Sequence, residues 1–226
     1  MARYPNERHI LMNDQQEIPT VQGLVRTEPI QQRSAQRIEM LLDAAAEIIH
    51  VSGIDSLTTS DVATRSGSSV GVVYRYFPNI QSLLRALAAR NLEHYTDRVF
   101  AALENDQHAW RNALDAAIDT FVDMYRNHVG FRALRFGDVI NDRFLDPTLS
   151  NNGVFARAIA GILGEKYGFA PTDDLVFELE VIVEIEDALM KRAFLLEPHG
   201  DERFIEKARE IARSYLRDSA NLPDVS

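Results

Sequence analysis

The chain has 226 residues, 46% hydrophobic and 26% charged, enough for one sizeable domain or two small ones of ordinary apolar content. It contains no cysteine, which excludes disulfide scaffolds and thiolate metal sites. No apolar run approaches the ~18 residues of a membrane span, and the first thirty residues lack a signal-peptide h-region, so a cytoplasmic protein is expected.

The net charge of −10 is unevenly spread. Residues 1–30 hold three Arg and four acids, 31–90 hold six Arg and five acids, and 91–226 hold fifteen bases against twenty-five acids. The acidity belongs to the C-terminal part, so a nearly neutral segment before it is not barred from meeting a polyanion.

Residues 1–30 are polar, carry Pro5, Pro19 and Pro29, and show no periodic apolar pattern. They are expected to form a flexible arm. Its Arg26, with Arg33 and Arg37 beyond it, suits either minor-groove insertion or plain solvation. From Ser34 the spacing of Ile38, Leu41, Leu42, Ala45, Ile48 and Ile49 predicts an amphipathic helix that Gly53 stops.

Thr58 followed by Asp61 reads as a capping box opening a helix over Thr59–Arg65. Val62 and the small Ala63 would face inward. Gly67 would supply the positive φ of a tight turn, and Ser68 or Ser69 would cap a second short helix over 69–76. Val73 would close the small core from the other side, as two helices crossing at ~100° require. This leaves Val70, Gly71, Tyr74 and Arg75 available to a partner, unless Tyr74 packs on the helix below and Arg75 is merely solvated.

After Pro78 and Asn79 a long helix is predicted over 80–103, able to join a head to a body. Five more follow at roughly 108–128, 130–141, 152–167, 172–197 and 201–218. Breaks fall at Gly130, at Asp146 and Pro147, between Gly164 and Pro171, and over Pro198, His199 and Gly200. No segment alternates with period two. The expected fold class is all-α, divided into the arm 1–30, a helix-turn-helix unit 31–90 and a helical domain 91–226.

Helix 172–197 has a narrow polar stripe of Glu180, Glu184, Asp187 and Lys191, and most of its remaining circumference is apolar. It must be covered from two sides. Helix 201–218 is also amphipathic, and a two-fold axis doubling the pair would give a four-helix bundle. Glu178 and Glu186 violate the wheel by falling in the apolar arc. Each should find a partner or a raised pKa. Either they pair across an interface with Arg192, Arg209 or Arg213, or they face a pocket and receive a cation or hydroxyl from a ligand.

The segment 33–95 resembles the DNA-binding domain of the TetR/AcrR family of bacterial regulators. The resemblance rests on IEMLLDAAAEIIHVSGIDSLT, the DVATRSG turn, YRYFPN and the following QSLLRAL. It implies that Thr59, Tyr74 and Tyr76 touch phosphates and that Ser60, Val70, Gly71 and Val72 lie nearest the base edges; Arg33, Ser69 and Arg75 are further candidate DNA-binding residues. Two positions depart from the pattern: Ile80 stands where a Lys is usual, and Ser66 where an Ala is usual. The apolar reading surface suggests recognition by thymine methyl contact and shape.

The resemblance also implies a homodimer joined by its last two long helices, and an effector pocket among the middle ones. Candidate lining residues are Trp110, Phe121, Met124, Tyr125, His128, Phe131, Leu134, Phe136, Phe155 and Ile159, with Glu178 and Glu186. Such a lining suits a small, mostly apolar or aromatic ligand with one or two polar contacts.

His9, His50, His94, His108, His128 and His199 show no i, i+4 pairing, and HExxH, GxGxxG and phosphate-cradling loops are missing. No catalytic residue, metal site or cofactor is expected. The expected function is a ligand-responsive regulator that binds operator DNA, a repressor in its simplest form. The alternative is a helical small-molecule or lipid-binding protein, or an enzyme, without DNA binding.

Overall fold

The computed structural model describes residues 21, 25, 32–103, 110–134 and 148–219, and among them every regular element is helical. The order is α1 (Gln32–Ser52), a short 3-10 turn (Ile54–Ser56), α2 (Thr59–Arg65), α3 (Val70–Tyr76), α4 (Ile80–Ala102), α5 (Trp110–Asn127), α6 (Phe131–Leu134), α7 (Asn151–Tyr167), α8 (Asp173–Leu196) and α9 (Glu202–Ser219). The all-α reading and the helix order agree with the structure. Of the segment read as helix 130–141, only α6 falls within the described residues.

The first three helices form a head around α1, whose Ile38, Leu41, Leu42, Ala45 and Ile49 are buried as their spacing requires. Leu57, Val62, Ala63, Val73 and Phe77 complete its core. Asn79 and Ser82 form a reciprocal capping box that starts α4 straight after the head. Helix α4 is buried along most of its length, from Leu83 to Phe100, because it packs on α1 at one end and on α5 and α7 at the other. The boundary drawn between residues 90 and 91 therefore falls inside one continuous helix.

Two contacts lock head to body. Arg90 of α4, its side chain 4% exposed, donates to Asp43 at 2.7 Å and Glu39 at 3.1 Å on α1. Gly130, at φ 77°, closes the turn between α5 and α6 against α1; a Cβ there would lie 2.8 Å from the Ala46 carbonyl oxygen. Both its torsion and its contact demand glycine. Val21, within the segment expected to be a free arm, is buried, and its backbone N–H donates to Glu93 of α4 at 2.8 Å. The arm touches the body at this point.

In the body, α7 and α8 each begin on a hydroxyl cap, Ser150 accepting from the Gly153 amide and Thr172 from that of Leu175. Helix α9 folds back on α8 through Gly200, at φ 86°, where a Cβ would meet Phe194 and Ile205 at 2.8 and 2.9 Å. It is also tied to α5: Arg213 pairs with Asp115 at 2.7 Å, and Arg209 pairs with Asp119. The expected polar stripe of α8 is only partly solvated. Glu184 is exposed, Glu180 accepts from the Ser150 hydroxyl, and Asp187 is buried, because α7 packs over that flank.

Candidate DNA-reading face and buried effector cluster

Helices α2 and α3 are each seven residues long and begin on side-chain caps. Thr58 accepts from the Asp61 amide at 3.1 Å, but the reciprocal half of the expected capping box is replaced: the Asp61 carboxylate accepts from the Thr58 hydroxyl at 2.6 Å. Gly67 turns the chain at φ 65°, and Ser69, not Ser68, caps α3 by accepting from the Val72 amide at 3.3 Å. The departure at Ser66 is accommodated: its buried hydroxyl donates to the Ala63 carbonyl at 3.2 Å. Ile80 is half-buried against the head core, so the position usually held by Lys serves packing.

Ser60, Ser69, Val70, Gly71, Tyr74 and Arg75 are exposed, Val70 at 38% and Tyr74 at 48%. The Thr59 hydroxyl donates to that of Tyr74 at 3.3 Å, bringing the start of α2 beside the last turn of α3. Val72 is half-buried on the core and Tyr76 is 6% exposed, so neither offers much of its side chain to a partner. The Arg75 guanidinium lies 6.0 Å from the Tyr76 ring. Arg33 is exposed in the first turn of α1.

Gly71 is informative. A Cβ there would meet only the Ser69 hydroxyl oxygen at 3.8 Å, and it lies inside a helix. Glycine at such a place costs roughly 0.5–1 kcal/mol relative to alanine. The fold of the described chain does not require it, whereas close approach of an outside surface would.

The second constellation is aromatic and buried, and it joins α4, α5, α6, α7 and α8. Tyr95 lies 4.5 Å from Phe155 and 6.3 Å from Phe121; Phe121 lies 4.9 Å from Tyr125 and 5.6 Å from Phe131; Tyr125 lies 4.9 Å from Phe194. Of the residues named from sequence, Phe121, Tyr125, His128, Phe131 and Phe155 are brought together here, and Met124 is buried on α5. Ile159 is half-buried on α7 and Leu134 is buried on α6. Phe136 and the side chain of Trp110 lie outside the described residues. Tyr95 and Phe194 are members that sequence reasoning missed. Each sits on the apolar face of its own helix, but the periodicity of one helix does not name its neighbours in space.

Glu186 is half-buried in the apolar arc of α8, flanked one turn away by Ile182, Val183, Leu189 and Met190. Its Oε1 is closed off from solvent and has no hydrogen-bond partner. Burial pushes its carboxyl up to about 8 from the ordinary 4.5, against the opposing pull of Arg209. The same burial, with the Glu186 charge added, holds the Tyr95 hydroxyl well above its usual range. Glu178 Oε2 is likewise closed off without a partner. Arg209 and Arg213, two of the three partners considered for these acids, are engaged with Asp119 and Asp115 of α5, and Arg192 stacks 4.8 Å over Phe204.

At the head–body joint, His94 Nδ1 and His128 Nε2 are 3.2 Å apart. Burial lowers both, with Arg90 the next cause at His94 and Arg98 at His128. One ring donates and the other accepts, so the pair is suited to carrying one proton between its facing nitrogens.

Two family models match the chain: bacterial regulatory proteins of the tetR family over residues 41–87, and the tetracyclin repressor-like C-terminal domain over residues 108–220. A TetR-family transcriptional regulator from Streptomyces coelicolor superposes with a TM-score of 0.72 at 37% identity, over 81% of this chain and 99% of its own. A TetR transcriptional regulator from Rhodococcus sp. RHA1, 18% identical, shares the fold with a TM-score of 0.62 over 85% of this chain and 100% of its own. The HTH-type transcriptional regulator YvdT of Bacillus subtilis (strain 168), itself uncharacterised, is 27% identical over 114 residues. That match spans 50% of this chain and only 58% of the length of that curated relative. With one model matching the head, another matching half the chain in the body, and a relative similar over most of its length, the chain belongs to the TetR family of bacterial transcriptional regulators, which are not enzymes.

Proposed function

We propose that the protein is a homodimeric, operator-binding repressor that releases DNA when a small, mostly apolar or aromatic effector enters the α4–α8 cluster. The observation that carries the DNA-binding half is the exposed surface of Ser60, Val70, Gly71 and Tyr74 on two short capped helices, with a glycine the fold does not need. Thr59, Tyr74 and the edge of Tyr76 would meet phosphates; Ser60, Val70 and Gly71 would meet base edges. An apolar reading surface makes methyl contact and groove shape the main source of specificity.

A single head is nearly neutral, so doubling is needed for useful affinity. Phe177, Leu195 and Leu196 of α8 are 61–73% exposed, and Val181 and Ile185 are half-buried between them along the same flank. A second copy would cover this stripe and set two α3 helices in successive major grooves of a near-palindromic site. Effector uptake would part the rings that bind α4 to α5 and α7, and α4 would carry the shift through Arg90 to the head. The direct test is anisotropy titration of labelled DNA from beside the protein's own gene across a range of salt. Saturable, salt-sensitive, sequence-selective binding is expected; equal binding to unrelated DNA would refute the reading.

A further inference from the structure

Every ring of the cluster offers a π-face carrying negative potential, and α8 adds a buried carboxyl with a vacant acceptor. Arg132 already stacks 5.2 Å over Phe194, so at the rim of the cluster one ring does take a cation. That guanidinium is held there by the Phe194 and Pro198 carbonyls, and Arg209 is held by Asp119 and Glu206. Glu178 is eight residues before Glu186 on α8, about 12 Å along the axis, too far to share one ligand group.

We propose that Tyr95, Phe121, Phe155 and Glu186 form a site for a hydrophobic aromatic amine, its ring replacing ring–ring contacts and its ammonium donating to Glu186 Oε1. This rests on the reading that the body takes up an effector, and it names the chemical class of that effector. The amine is preferred to a neutral alcohol because it completes a charge pair at an oxygen closed off from solvent, and because the ring faces favour positive charge. Among the described residues, the titratable and charged groups whose fields reach Glu186 are Tyr95 from α4 and Arg209 from α9. Glu186 holds its proton at neutral pH, so binding an ammonium sends that proton to solvent and leaves the carboxylate paired with the ligand.

The test uses an isosteric trio, naphthylmethylamine, naphthylmethanol and ethylnaphthalene, titrated calorimetrically into the full-length protein in buffers of differing ionisation enthalpy. Each probe is then scored for release of operator DNA. The amine should bind tightest and release close to one proton. Its affinity should rise by up to about tenfold per pH unit below Glu186's titration. Glu186→Gln, isosteric with the protonated acid, should abolish the proton release and level the three probes. If that variant fails to fold, proton release by the wild-type protein still decides. Binding of the alcohol or the hydrocarbon as tightly as the amine, without proton release, overturns the amine assignment, and DNA release by those probes would leave the effector reading standing. If none of the three binds, the amine site falls; if, in addition, no ligand from a wider library releases DNA, the effector reading falls with it.

Discussion

Glu186 and Gly71 are two residues that the fold alone would not choose. The folded carboxyl of Glu186 titrates near 8, against 4.5 when unfolded. Below the lower value both states hold the proton; between the two only the folded state does, so stability is lost as pH rises through that window, by up to about 1.4 kcal/mol per unit. Glu186→Gln should therefore match the wild type in denaturant unfolding near pH 4.5 and become progressively more stable than it toward pH 8. A difference that stays constant with pH would refute the burial of an uncompensated carboxyl. Gly71→Ala should raise stability by about 0.5–1 kcal/mol, since its Cβ meets nothing closer than the Ser69 hydroxyl oxygen at 3.8 Å, while changing which operators are bound. Tyr74→Phe, by contrast, should weaken all operators alike. If Gly71→Ala stabilised the protein and left sequence preference untouched, Gly71 would not face the bases. The anomaly of Glu186 was visible in the helical wheel, but the engagement of Arg209 and Arg213 with α5 was not. Those pairs join residues 90 and 98 positions apart, and charge order along one helix does not encode them.

At the scale of elements, helix limits were readable because caps and breakers are local. Thr58, Ser69, Asn79, Ser150 and Thr172 cap helices, and Gly67, Gly130 and Gly200 turn the chain. What could not be read was how elements meet: Gly130 looked like a helix break, yet it is also the seat of α1 on the body. Gly130→Ala should force φ out of the left-handed region or push α1 away from the α5–α6 turn, since the added carbon would lie within 2.9 Å of Ala46 Cα and 2.8 Å of its carbonyl oxygen. The expected outcome is operator affinity that no longer responds to effector, with ligand binding to the body retained. Normal induction in this variant would show that the α1–α6 contact does not transmit. The aromatic cluster belongs to the same class of hidden feature. Phe121, Tyr125, Phe131 and Phe155 stood out as aromatics on middle helices, whereas Tyr95 and Phe194 joined them only through the packing of α4 and α8.

For the whole molecule, charge and exposure divide the labour. The acids lie mainly in the body, the head is close to neutral, and the apolar stripe of α8, exposed among the described residues, gives two copies a reason to associate. A paired substitution, Phe177→Glu with Leu195→Glu, should leave the monomer folded, because both side chains are largely exposed within it. Sedimentation should show loss of the dimer, and operator affinity should fall by orders of magnitude through loss of the second head. The most direct measurement is operator titration of the wild-type protein beside this paired variant, with sedimentation at the same concentrations. Two protomers of the wild type should saturate one near-palindromic site, while the monomeric variant binds that site no better than unrelated DNA. A monomeric variant that binds the operator as tightly and as selectively as the wild type would contradict a dimer that reads DNA with both heads at once.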